Sequence, residues 1–163
     1  MSLAVADSSP DRTVREIVTV IVAGQLFGLP IERVRQVFRM GHVTPVPLAP
    51  PSVAGLINLR GRVATAIDLR SRLGLKPVDA RGMAAGLECQ GDAYALVVDE
   101  IGDVLRPRDD ELEAGDAHLP AAWRGFIEGV YRLPDSIMVL LDVDAVLDLS
   151  RQACRPFPTQ AAA

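Results

Sequence analysis

Two stretches of this chain recur in the same order, and a chain that repeats itself must build the same local structure twice. Displaced by 67 residues, QLFGLPIERVRQVFR (25–39) lies on DAYALVVDEIGDVLR (92–106), so that Phe27 meets Tyr94, Leu29 meets Leu96, Val34 meets Ile101 and Val37 meets Val104. Displaced by 74, GLINLRGRVATAIDLRSRL (55–73) lies on GVYRLPDSIMVLLDVDAVL (129–147), bringing Gly55 onto Gly129, Val63 onto Ile137 and Asp68 onto Asp142. The difference of seven places a longer loop in the second copy, around DDELEAGDAHLPAAWRG. A unit of about 65 residues is marginal by itself, so the copies are expected to share a buried interface.

Within the first copy, β-rich REIVTVIVAGQLFGLPI breaks at Ala23-Gly24-Gln25, a hairpin signal. Pro30 suits the start of a short helical turn at PIERV. Further strands are expected at Val34–Arg39, Val43–Val46, Val53–Leu59 and Val63–Ile67, with prolines 45, 47, 50 and 51 marking a loop. Asp68 then serves as an N-cap, and Gly74 closes the short helix in the left-handed conformation. Five short strands per copy fit a small barrel, which removes exposed strand edges. The segmentation is a polar tail over 1–14, one copy over about 15–81, the other over about 82–150, and an extension over 151–163.

Hydrophobic residues make up 49% of the chain but aromatics only 4%, so the core must be built mainly of Val, Leu, Ile and Ala. Net charge is −4, which argues against nucleic acid as a partner. Residues 60–76 carry Arg60, Arg62, Arg70, Arg72 and Lys76 without interleaved aromatics to stack bases. Cys89 and Cys154 stand alone, 65 residues apart, and read as reduced thiols. No apolar run reaches membrane-spanning length and no leader pattern opens the chain, so a cytoplasmic protein is expected.

Catalytic and cofactor signatures are missing. His42 and His118 are 76 residues apart with no nucleophile signature beside them. No phosphate loop, dinucleotide fingerprint or EF-hand spacing occurs, and the acidic run RDDELEAGD (108–116) lacks alternating ligands. The expectation is a binding module with no metal and no cofactor.

ERVRQVFR (32–39), VAGLINLRGRVATAIDLRSRLGL (53–75), YALVVDEIGDVLRP (94–107) and IMVLLDVDAVL (137–147) together resemble the CheW chemotaxis coupling family, over about Arg15 to Leu149. Asn-Leu-Arg-Gly ahead of an IDLR helix start is specific to that family. The resemblance implies a mainly β fold of two SH3-like five-stranded β-barrel subdomains with short capping helices, and no enzymatic activity. It further implies an adaptor that links the cytoplasmic tips of methyl-accepting chemotaxis receptors to the regulatory domain of a CheA-type histidine kinase, within arrays recruited to the membrane. A scaffold of the same family in pilus motility or development shares these features, and a small-ligand-binding β-barrel is the more distant alternative.

By the same resemblance, the receptor tip lies in a groove between the subdomains, lined by Val34, Val37, Gly55, Leu56, Asn58 and Arg60 from the first copy and Ile101 and Val104 from the second. Each apolar member could equally serve as core packing. Arg60 is different, because burying an unpaired guanidinium is costly. Family members often carry Glu where this chain has Gln36, a residue that would leave Arg60 free to meet a partner's carboxylate. In the second copy Arg60-Gly61 become Pro134-Asp135, so the turn is structural, and Asn58 and Arg60 are the polar candidates for recognition.

Overall fold

The computed structural model describes residues 14–76, 82–113 and 119–148; the expected extension and all of the expected tail except Val14, which bridges to Arg108, lie outside these. The first copy folds as β1 (Ile17–Val22), β2 (Gln25–Pro30), β3 (Val34–Arg39), β4 (Val53–Leu59), β5 (Arg62–Asp68) and helix α1 (Leu69–Arg72). The second gives β6 (Met83–Cys89), β7 (Asp92–Val98), β8 (Glu100–Leu105), the two-residue β9 (Leu112–Glu113), β10 (Ile127–Arg132), β11 (Ile137–Leu141) and helix α2 (Val143–Leu147). Three hairpins close through X-Gly turns with both residues at positive φ: Ala23-Gly24, Arg60-Gly61 and Gln90-Gly91. Such turns match the twist of the flanking strands, and glycine takes the second position without steric cost.

Strand pairing exchanges the leading hairpins of the two copies. One sheet runs β8-β1-β2-β11-β10-β9 and the other β3-β6-β7-β5-β4. The expected division at residues 81 and 82 is therefore not where the sheets divide: β1-β2 join the second copy's strands, and β6-β7 join the first copy's. The exchange is reciprocal and keeps register. Val37 pairs Ala85 as Val104 pairs Val18, and Thr65 pairs Tyr94 in parallel as Val139 pairs Phe27. These matches are the ones that offsets of 67 and 74 require.

Alternation along the strands divides the interior into three parts. One face of the five-stranded sheet holds Met40, Ile57, Ala64, Ala66, Ala84 and Ala95, and the corresponding face of the six-stranded sheet holds Ile17, Tyr131, Met138 and Leu140. Ala84, Ala64 and Ala66 align in the repeat with Ile17, Met138 and Leu140, and Ile57 with Tyr131, so the five-stranded sheet carries smaller residues at the positions that the six-stranded sheet fills with large ones. The opposite faces of both sheets enter one shared cluster that includes Val20, Phe27, Ile67, Leu87, Leu96, Val139 and Val146. This is the common core that the small size of each copy demanded.

The helices lock the copies together. Arg72, only 3% exposed, donates from Nε to the Val146 carbonyl at 2.7 Å and from Nη2 to the carbonyls of Ala145 and Asp148, supplying donors to the end of α2. Its guanidinium lies 4.8 Å from the Phe126 ring centroid. Trp123 Nε1 donates in return to the Leu73 carbonyl at 3.1 Å, just past α1. As expected, Asp68 caps α1, accepting from the Arg70 N–H at 3.1 Å, and Gly74 follows at φ 76. Val43–Val46 is not a strand. Thr44 alone bridges to Leu56, because Pro45 and Pro47 have no N–H to extend a ladder.

Candidate functional site

Tight closure of the β4-β5 hairpin decides what its polar residues do. Leu59 pairs Arg62 across the turn, and Asn58 Oδ1 accepts the Gly61 N–H at 2.9 Å. Asn58 is thus an exposed brace of the turn. Arg60, at φ 52, projects from the tip and makes no hydrogen bond or ion pair among the described residues.

Gly55 and Leu56 fasten the proline-rich loop to β4. Thr44 and Leu56 exchange two backbone bonds of 2.8 and 2.9 Å, and a Cβ on Gly55, at φ 146, would lie 2.4 Å from the Thr44 oxygen. Val34 and Ile101 pack against the shared core. Their neighbours Val37 and Val104 are 44% and 39% exposed, at equivalent positions of edge strands β3 and β8. Of the residues named from sequence, Gln36 and Arg60 are brought into one depression of about 150 Å³, while Ile101 and Val104 belong to the other sheet and do not line it.

Sequence reasoning missed three charged residues of this depression. Glu88, at the end of β6, accepts from Arg62 Nη1 at 3.2 Å and lies 3.5 Å from Arg35 Nε. Arg62 also donates to the Gly91 carbonyl at 3.2 Å. The signal was present in the repeat, where these positions carry charge in one copy only.

A larger recess of about 730 Å³ adjoins the depression at Glu88 and reaches Arg33, Cys89, Tyr94, Asp144 and Asp148. Arg33 donates to Asp144 at 2.9 Å and holds that carboxyl below its ordinary value. Burial, with Asp144 adjacent, pushes the Cys89 thiol up, away from the reactive thiolate. Among the described residues no three His, Cys, Asp or Glu side chains converge as metal ligands, and no helix is long and apolar enough to cross a membrane.

Two β-rich copies with exchanged hairpins, carrying charged and apolar surface residues, define a protein whose chemistry is recognition. The chain belongs to the CheW-like domain family, whose model matches residues 16–151. A chemotaxis protein CheW from Rhizobium meliloti (strain 1021) is 30% identical over 134 residues, covering 81% of this chain and 86% of the relative. Its counterpart in Bacillus subtilis (strain 168) is 26% identical over 139 residues, covering 84% and 89%. The solved scaffolding protein TtCheW from Thermoanaerobacter tengcongensis superposes with a TM-score of 0.73 at 26% identity, over 80% of this chain and 90% of that one. The chain is accordingly a non-enzymatic chemotaxis scaffold of the CheW type.

Proposed function

We propose that this protein couples methyl-accepting chemotaxis receptors to the regulatory domain of a CheA-type histidine kinase in the cytoplasm, at membrane-associated arrays. The observation that carries the reading is that every described strand falls within the CheW-like match. The receptor tip would meet the surface around Val37, Val104 and Arg60, with Val34, Gly55, Leu56, Asn58 and Ile101 holding it in shape. Exposed valines on two edge strands and an unpaired guanidinium support that assignment.

An adaptor acts through binding energy and geometry. By holding receptor and kinase in a fixed relation, it lets a receptor conformational change bias the kinase between states. Individual contacts can be weak, since array assembly raises effective concentration.

The test is capture of kinase regulatory domain and receptor cytoplasmic fragments on the immobilised full chain. Both should bind at micromolar concentration. Retention of neither would overturn the coupling role. Arg60→Ala should weaken receptor capture without moving the melting temperature, and unchanged capture would remove Arg60 from the receptor surface.

A further inference from the structure

We infer that Arg35, Arg60 and Arg62 form a docking site for an acidic peptide segment of a protein partner, with Glu88 holding the place of that partner's carboxylate. The inference uses the adaptor reading only to choose a protein segment over a small anion.

Arg35 and Arg62 flank the Glu88 carboxylate and Arg60 lines the same depression, leaving two positive charges in excess on a chain whose net charge is −4. Arg35 and Arg62 are 64% and 56% exposed, and Arg60 is likewise exposed and has no partner among the described residues, so all three can be reached from solvent. Glu88 demonstrates what the site accepts, a carboxylate between Arg35 and Arg62. A partner's carboxylate would add the third arginine, and charge-assisted bonds of this kind are the strong ones. Leu59, Leu87 and Ala93 also line the depression and give the stem of an acidic side chain an apolar bed.

The repeat supplies an internal control. Offsets of 67 and 74 carry Arg35, Arg60, Arg62 and Glu88 onto Gly102, Pro134, Ser136 and Ile21. Equivalent hairpins and register therefore form in the other sheet without any of the four charges. The cluster is not a requirement of the fold. No aromatic side chain lines the depression, which disfavours a single-stranded nucleic acid as the occupant.

The experiment is an NMR titration of the full-length ¹⁵N-labelled chain with a hexaglutamate peptide, with a twelve-residue thymidine oligonucleotide as the second probe. Peptide should move the amide resonances of Arg35, Arg60, Arg62 and Glu88, and its binding should weaken as salt rises. Arg60→Ala and Arg62→Ala should each weaken it about tenfold, the loss of one charge-assisted hydrogen bond. Glu88→Gln should tighten it several-fold by removing the internal competitor. The substituted side chains are surface groups, and melting curves on the same samples report folding. The proposal is overturned if millimolar peptide moves none of these resonances, if Glu88→Gln weakens binding, or if the oligonucleotide binds as tightly as the peptide. Capture of kinase and receptor fragments without hexaglutamate binding would sink this site and leave the adaptor role standing. Peptide binding without either capture would do the reverse.

Discussion

Arg70 and Asp144 stand at the second residue of α1 and α2, equivalent positions in the repeat, and each ties its helix to a strand junction with opposite polarity. Arg70 grips Asp99 through two bonds of 3.0 and 2.6 Å, while Asp144 accepts from Arg33 at 2.9 Å. The partners are not repeat equivalents, since the offset of 67 carries Asp99 onto Glu32 and Arg33 onto Glu100, so each copy anchors its helix through a different residue of the strand junction.

The two ties should differ in strength. Asp99 is 29% exposed and also accepts the Ala23 N–H, whereas Asp144 is 68% exposed. Arg70→Ala strands a partly covered carboxylate, while Asp144→Ala removes a solvated one, worth no more than about 1 kcal/mol. In urea unfolding, Arg70→Ala should lower the midpoint more than Asp144→Ala. Equal midpoints would mean that solvent screens both pairs alike.

Arg72 should be the most sensitive of the helix residues. Arg72→Ala removes the donors serving three carbonyls at the end of α2 and the cation over Phe126, a loss of about 3 kcal/mol or more. Arg72→Lys should recover only part of it, because an ammonium lacks the planar fork that reaches several carbonyls at once. Chemical denaturation of both variants checks this, and a Lys variant as stable as the parent would show that charge alone suffices.

Much of this architecture could be read in the residues, and its failures have physical causes. The repeat offsets were legible, and the two sheets keep equivalent registers under them, since side-chain alternation allows no one-residue slip in a buried strand. Asp68 and Gly74 were readable because capping is local. Hairpin exchange was not, because adjacent copies satisfy the same hydrophobic pattern whether β1-β2 packs with its own copy or the other. Asn58 was read as a recognition residue, but its short amide reaches its own turn first. Arg35, Arg62 and Glu88 escaped because they converge only when β3, β5 and β6 enter one sheet. Arg72 was named only as one basic residue of 60–76, because the carbonyls it serves come from α2, in the other copy.

Leu48 offers a stabilising change. Its side chain is fully exposed at 104% and its φ is 65, a conformation costly for a leucine and open to asparagine or glycine. No packing is lost on replacement. Leu48→Asn should stabilise the protein by about 0.5–1 kcal/mol, read as a higher urea midpoint with unchanged slope. A lower midpoint would show that the turn relies on the leucine.

Acidification should act in two opposed stages. Bonds from Arg70 and Arg33 hold Asp99 and Asp144 below the ordinary carboxyl value of 3.8. Their stabilising contribution is complete above that value and is lost as pH falls through the lowered native values. Asp68 is shifted the other way, because burial outweighs the bonds it accepts from Ser71 and the Arg70 N–H. Its native form takes up a proton before the unfolded form does, so stability rises as pH falls from neutral toward 3.8. Urea unfolding at steps from pH 7 to pH 3 should show a rise followed by a fall. Asp68→Asn keeps a capping oxygen and should abolish the rise, while Asp99→Asn should flatten the fall. A parent profile that declines steadily from pH 7, unchanged by Asp68→Asn, would remove Asp68 from this account.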